Sequence, residues 1–111
     1  MNASHPSLVR DLAVECGDRR LGVALFGSEQ GLPVIYQHGL PGSRLEAGLV
    51  AEAARQNDLK LVAIDRPGYG VSDPRPGRSL ASWASDVAVV ADFLKLNRFA
   101  LLGVSGGALY A

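Results

Sequence analysis

The sequence has one cysteine, no excess of charge of either sign and no long apolar run. A lone Cys16 cannot form an internal disulfide, and its place in an alternating run indicates a small strand residue rather than a reactive thiol. Eleven basic and eleven acidic residues cancel, which argues against nucleic acid and anionic membranes as partners. A small neutral or mildly polar substrate fits this composition better.

No stretch is long and apolar enough to span a bilayer, and residues 1–10 lack the apolar core of a signal peptide. We therefore expect a cytoplasmic protein in which residues 1–10 form a loose tail. With 111 residues, 48% of them hydrophobic, the chain can build one modest core. Residues 11–111 are predicted to form one domain or part of one.

The sequence contains no recognisable cofactor motif. The segment 68–73 lacks the third glycine of a dinucleotide fingerprint, and no glycine-lysine-serine/threonine phosphate loop occurs. Neither His5 nor His38 has a partner at the spacing of metal ligands. We expect no cofactor and no metal, and we expect His5 to be a solvated tail residue.

Two short β-like runs, 12–16 and 20–26, are separated by Gly17-Asp18, which is typical of hairpin turns. They predict an antiparallel pair at a sheet edge. Further along, three apolar runs predicted as strands alternate with two helical patterns; the strands are 34–36, 59–64 and 99–102, and the helices begin at Ser43 and Ser79. This alternation predicts an α/β fold with a mostly parallel sheet and crossover helices.

Capping residues locate both helices. Ser43 begins the first, because Glu46 three positions later completes a capping box, and the helix should end near residue 57. Arg44 is predicted to be solvated at its start. Ser79 is the predicted N-cap of the second helix, with Asp86 elsewhere on its surface. The apolar face of that helix is Trp83, Val87, Val90 and Leu94.

The apolar run 99–102, predicted as a buried strand, leads into Gly103-Val104-Ser105-Gly106-Gly107. A Gly-x-Ser-x-Gly sequence between a strand and a helix is typical of a nucleophile elbow, a tight turn that exposes the serine hydroxyl above the sheet. Gly103 and Gly107 keep the flanking positions small, so that strand and helix can approach. The competing interpretation is a plain glycine-rich turn, but the context favours Ser105 as a nucleophile.

A second glycine-rich loop, His38-Gly39-Leu40-Pro41-Gly42, follows the strand at 34–36. Acyl transfer creates an oxyanion, which preorganised backbone N–H groups stabilise. We predict that Leu40 and Gly106 supply these N–H groups. His38 is predicted to brace the loop. The alternative, His38 as catalytic base, requires hydrogen-bond reach to Ser105 and a partner that orients the ring.

A third loop, residues 65–73, follows the strand at 59–64, and its prolines and glycines exclude regular structure. Tyr69 is predicted to form an aromatic wall for the substrate. Asp65, Arg66 and Ser72 are assigned structural roles, because charged residues beside turns hold a loop in place more often than they do chemistry.

In this order, the loops 38–42, 65–73 and 103–107 resemble the N-terminal half of the α/β-hydrolase superfamily. They match the H-G-x-P-G oxyanion loop, the D-R-x-G-x-G-x-S turn and the serine elbow of esterases, proline iminopeptidase-like peptidases, C–C bond hydrolases and cofactor-free haloperoxidases. The resemblance covers residues 12–111. It implies the α/β-hydrolase fold and a serine hydrolase acting on a small carbonyl substrate, since the epoxide hydrolase and haloalkane dehalogenase branches place an aspartate where Ser105 stands.

In that superfamily an acid and a histidine follow the serine, and residues 106–111 contain neither. We therefore expect an N-terminal portion that is truncated after the elbow and inactive alone, or a half chain that needs a partner. The strand 99–104 would then have a bare apolar edge that favours self-association. The other alternative is a binding module that keeps the scaffold without the chemistry.

Overall fold

The chain is built around one mixed β-sheet. The computed structural model describes residues 8–39, 42–74, 77, 79–104 and 107. Within this part, the strands are β1 Leu8–Cys16, β2 Arg19–Gly27, β3 Leu32–Gln37, β4 Leu59–Ile64 and β5 Ala100–Gly103. A 3₁₀ helix, Arg44–Val50, runs directly into α1, Ala51–Gln56, and α2 comprises Leu80–Phe93.

The strands lie in the order β1-β2-β4-β3-β5. β2 pairs antiparallel with both β1 and β4, whereas β3 pairs parallel with β4 and β5. The predicted α/β class, with an antiparallel hairpin at the sheet edge and a parallel part reached by crossover helices, is therefore confirmed. The first strand begins at Leu8, so residues 8–10, which we predicted as tail, are part of β1.

The helices cover opposite faces of the sheet. Side chains alternate between the two faces along a strand, so Val23 and Phe26 of β2 lie on opposite faces. Val23 packs on the face covered by α2, with Trp83 and Val90. Phe26 packs on the other face, against Ala51 of α1 and its neighbours. Each crossover thus buries one face of the parallel strands, and both faces of β4 are buried from residue 61 to residue 64.

The start of the first helical segment differs from the prediction. Ser43 does cap it, but its hydroxyl accepts the N–H of Leu45 at 3.2 Å. The N–H of Glu46 donates instead to the Ser43 carbonyl at 3.1 Å, as 3₁₀ geometry requires. The Glu46 carboxylate turns away to the backbone of Gly39, so the predicted capping box is wrong.

In α2 the predicted N-cap is confirmed. Ser79 and Ser82 form a reciprocal capping box, and Trp83 is buried on the apolar face. Asp86 is not a surface residue, as we had predicted, but is 1% exposed. Its carboxylate accepts a hydrogen bond from Nη2 of Arg19 at 2.9 Å, and this pairing allows a charge to lie between α2 and the hairpin. Neither described helix is long and apolar enough to cross a membrane.

The prediction that the last strand is buried is wrong. In β5, Leu101 is 47% exposed and Leu102 is 40% exposed. The reason is its position at the end of the sheet, where β3 is its partner strand among the described residues.

Candidate active site

The three predicted loops begin at the same edge of the sheet. Strands β3, β4 and β5 run parallel, so their carboxyl ends lie together, which is where α/β sheets bind ligands. In register, Gln37 at the end of β3 is paired with Gly103 at the end of β5. The loop that begins at His38 and the elbow that begins at Gly103 are therefore neighbours.

Val104 and Gly107, which flank the two central residues of the predicted elbow, pack tightly against the end of β3. The N–H of Val104 donates to the Gln37 carbonyl at 3.2 Å, and the N–H of Gly107 donates to the Val104 carbonyl at 2.8 Å. A Cβ on Gly107 would lie 2.1 Å from the Gln37 carbonyl oxygen and 2.6 Å from that of His38. Only glycine fits there. The predicted nucleophile Ser105 and oxyanion donor Gly106 lie outside the described residues.

His38 is fully buried, and its two ring nitrogens contact the backbone of two different loops, 38–42 and 65–73. Nε2 accepts the N–H of Arg66 at 3.2 Å, so Nδ1 carries the proton and donates to the Gly39 carbonyl at 2.8 Å. Burial lowers the pKa of His38 and the charge of Arg66 lowers it further, while the hydrogen bond to Gly39 opposes them. The neutral ring is thus held between two loops.

Glu46 holds the other side of the same glycine. Both carboxylate oxygens lie 3.2 Å from the Gly39 nitrogen and accept its N–H. Oε2 also accepts the hydroxyl of Tyr36 at 2.9 Å. Burial, with this hydrogen bond, raises the pKa of Tyr36 to about 12, so the phenol remains a donor. Leu40 and Pro41 lie outside the described residues.

The third loop is organised by the Asp65 carboxylate, which is fully buried. It accepts the backbone N–H of Val71 and of Arg44, and it pairs with the Arg44 guanidinium. Our prediction that Arg44 is solvated is wrong, since this residue is 4% exposed. The reason is that Asp11 of β1 and Asp65 neutralise it from two sides.

The side chains of Arg66, Tyr69 and Ser72 all contact protein groups. The Ser72 hydroxyl donates to the Asp65 carbonyl at 2.6 Å and accepts the N–H of Gly22 at 2.8 Å. The Tyr69 ring lies 5.1 Å from the His38 ring, and the Arg66 guanidinium lies 5.6 Å from the Tyr69 ring centre. Tyr69 therefore lies at this edge with its ring tilted by 56° from that of His38, and its contact with substrate stays a prediction.

Two contributors escaped sequence reasoning. Glu46 had been assigned to a helix cap, and Asp11 lies 33 positions from its partner Arg44, with no pattern that links the two. Gln37 is a further buried polar residue of the edge, whose side-chain oxygen accepts the indole N–H of Trp83 at 3.1 Å. Among the described residues, no three His, Cys, Asp or Glu side chains converge in the manner of a metal site.

Residues 33–111 match the sequence profile of the α/β hydrolase fold. The chain belongs to the α/β-hydrolase family. This agrees with the expectation from the three motifs and with the mixed sheet described above.

Among curated α/β-hydrolase relatives, a non-heme chloroperoxidase of Streptomyces lividans is 32% identical over 83 residues, which are 74% of this chain and 30% of the relative. A serine hydrolase-like protein of Homo sapiens is 30% identical over 105 residues, or 92% of this chain and 51% of the relative. The chain thus spans between about a third and a half of these relatives' length.

Solved structures agree on the fold. A thioesterase domain from the curacin biosynthetic pathway superposes with a TM-score of 0.80 at 24% identity, over 92% of this chain and 39% of that one. An epoxide hydrolase from Vigna radiata gives a TM-score of 0.77 at 23% identity, over 96% of this chain and 35% of that one. At such identities the likeness concerns the α/β-hydrolase fold alone.

Proposed function

We propose that the protein is a serine hydrolase in which Ser105 attacks the carbonyl carbon of an ester, amide or related small substrate. The supporting observation is the close approach at the elbow, where Gly107 lies against the carbonyls of Gln37 and His38 with no room for a Cβ. A strand-turn-helix elbow that exposes a serine requires such an approach. A plain surface turn does not.

The proposed chemistry is acyl transfer in two stages. The Ser105 oxygen bonds to the carbonyl carbon as its proton passes to a base, and the π electrons of the C=O bond move onto oxygen. When this oxyanion collapses, the bond to the alcohol or amine breaks and the leaving group takes the proton. Water then attacks the acyl-serine by the same route, which releases the acid and restores Ser105.

The loop 38–42 leaves a short choice of oxyanion donors. The N–H of Gly39 is already used by Glu46, and Pro41 has no N–H. The resemblance of this loop to the oxyanion loop of the family implies Leu40 as its donor, and we propose Gly106, which follows the nucleophile, as the second donor.

The base is a separate question. His38 is engaged at both ring nitrogens, which supports a bracing role. Residues 106–111 contain neither an acid nor a histidine, although the family places both after the serine. We propose that the catalytic acid and histidine are not among these 111 residues, and that the 111 residues alone turn over no substrate.

Labelling with a fluorophosphonate probe tests the nucleophile. We use "full protein" for the product of the whole natural reading frame, as distinct from the 111-residue polypeptide alone. We expect the full protein to hydrolyse p-nitrophenyl acetate and to be labelled at Ser105. Ser105→Ala should abolish both. The matched control is Ser28→Ala, because Ser28 precedes β3 at the opposite edge of the sheet.

The outcome also separates the alternatives. Hydrolysis that survives Ser105→Ala would refute the proposed mechanism. A full protein that neither labels nor hydrolyses any ester would favour a binding module on the hydrolase scaffold. Labelling of the full protein but not of the 111 residues would support the assignment of the base to a segment outside them.

A further inference from the structure

Glu46 makes contacts that a helix-start residue does not need. Its carboxylate reaches back along the chain to the N–H of Gly39 and to the hydroxyl of Tyr36, at 3.2 and 2.9 Å. Tyr36 lies in β3 and is 4% exposed, so the sheet core anchors one end of this bridge. Glu46 therefore joins three elements: the strand, the glycine-rich loop and the 3₁₀ helix.

From this geometry we infer that Glu46 is a positioning residue for the oxyanion donor in the loop 38–42. The inference rests on the proposed function, since it needs an oxyanion to stabilise. It assigns to Glu46 a role that acts through Gly39 and involves no contact with substrate.

The two peptide groups that flank the Gly39 α-carbon are each held by a side chain. The N–H on one side donates to Glu46, and the carbonyl on the other side accepts from His38 Nδ1 at 2.8 Å. The Gly39 carbonyl belongs to the same planar peptide group as the next amide in the chain, so a contact that restrains this carbonyl also restrains that amide. That amide is the proposed donor, Leu40.

Contacts to the Gly39 carbonyl alone, which also accepts from Arg66 Nη2 at 3.4 Å, would not suffice. A glycine populates more backbone conformations than any other residue, so the Gly39 carbonyl can swing unless the preceding peptide is fixed as well. Glu46 fixes that preceding peptide. Preorganised donors gain their catalytic effect because they do not need to reorient as charge develops, and small misplacements are costly in rate.

The charge of Glu46 sets a second expectation. A carboxylate near a developing oxyanion opposes it by like charge, but the hydrogen bonds from Gly39 and Tyr36 disperse that charge. Glu46→Gln keeps an oxygen that can accept the Gly39 N–H and removes the charge. This conservative variant should therefore rescue most of the activity that Glu46→Ala loses.

The test uses the full protein, p-nitrophenyl acetate as substrate and octyl trifluoromethyl ketone as inhibitor. The ketone forms a tetrahedral adduct with a reactive serine and so depends on the oxyanion donors. Two variants act as matched controls. Leu45→Ala removes core packing from the same 3₁₀ helix but keeps the Glu46 carboxylate, and Glu52→Ala removes an exposed carboxylate of α1.

We expect Glu46→Ala to lower kcat about ten- to a hundredfold, with little change in KM. The affinity for the ketone inhibitor should fall by a similar factor. Leu45→Ala should lower thermal stability but retain kcat at temperatures where it is folded. Glu46→Gln should lie close to the parent protein in both kcat and ketone affinity.

Two results would overturn the inference. One is a Glu46→Ala variant that keeps the parent kcat. The other is a loss of kcat no greater than that of Leu45→Ala at equal thermal stability, which would reduce Glu46 to a structural residue. Failure of the proposed function itself gives different results: either Ser105→Ala retains activity, or the parent protein shows neither hydrolysis nor labelling.

Discussion

Asp65 and Arg44 form a buried ion pair in which Nη1 lies 2.9 Å from Oδ2, with side-chain exposures of 0% and 5%. The same carboxylate accepts the backbone N–H of Arg44 and of Val71, at 2.5 and 2.9 Å. The other guanidinium nitrogens of Arg44 donate to Asp11 at 2.8 and 2.9 Å. Asp65 thus connects the loop after β4 with the start of the 3₁₀ helix and, through Arg44, with β1.

This connection predicts the effect of Asp65→Ala. Removing one partner of a buried pair leaves the other charge without full compensation, which costs about 3 to 5 kcal/mol of unfolding free energy. The variant also leaves two backbone N–H groups without their acceptor. Urea denaturation followed by circular dichroism measures the loss.

Glu52→Ala provides the comparison, because Glu52 pairs with Arg55 in an ion pair whose side chains are 59% and 60% exposed. We expect no measurable change in its stability, since exposed pairs are well screened. If Asp65→Ala were as stable as Glu52→Ala, the buried carboxylate would not organise these loops.

Gly70 allows a second prediction on the same carboxylate. A Cβ there would lie 2.2 to 2.4 Å from the atoms of the Asp65 carboxylate, and the residue has a φ of 51°. Gly70→Ala should therefore destabilise the protein by about 2 to 5 kcal/mol, as overpacking adds to the cost of a left-handed backbone. Thermal melts of the purified variant give the loss.

Gly68 is a matched site, with a φ of 84° but no atom within 4 Å of the added Cβ. Gly68→Ala should lower the free energy of unfolding only by the cost of a left-handed backbone, about 1 to 2 kcal/mol. Equal losses at the two positions would mean that the contact with Asp65 contributes nothing.

Local patterns in the sequence were enough to predict the strands and the N-cap of α2. The turn Gly17-Asp18 and the alternating runs on either side of it predicted the hairpin, and Ser79 caps α2 as expected. These features depend on neighbours within a few positions, so local physics decides them. The family followed from three motifs whose spacing is set by the same alternation of strands and helices.

The errors concern long-range partners. Arg44, Asp86 and Glu46 were predicted from local context alone, yet their partners lie 21, 67 and 7 positions away. A charged residue is buried only where a distant group neutralises it, and a single sequence carries no record of that pairing. The exposure of β5 has a similar cause, because its apolar pattern does not reveal its place in the strand order.

His38 should make stability depend on pH. Burial first, and then the charge of Arg66, lower its pKa in the folded state from the ordinary value of 6.5. Above that value the ring is neutral in both states. As pH falls below it, the unfolded chain takes up a proton that the folded protein resists, so stability is lost on acidification.

Urea midpoints measured between pH 7.5 and 5 would test this dependence, a range chosen to bracket the ordinary histidine pKa of about 6.5. His5→Gln should retain the decline in stability, whereas His38→Asn should be less stable at neutral pH and show a flatter profile. A decline of equal slope in the His38→Asn variant would assign the effect to other groups.

The apolar edge at β5 predicts self-association of the 111-residue polypeptide expressed alone. Leu101 is 47% exposed on a strand whose partner among the described residues is β3, and a strand edge with exposed apolar side chains is a template for pairing with a second copy.

Leu101→Lys should shift the polypeptide toward monomer in sedimentation velocity, because a lysine on the edge opposes strand pairing. Leu49→Lys adds the same charge at an 85% exposed leucine of the 3₁₀ helix, outside the β-sheet, and should leave association unchanged. A parent chain that sediments as a monomer, or equal effects of the two lysines, would contradict pairing through β5.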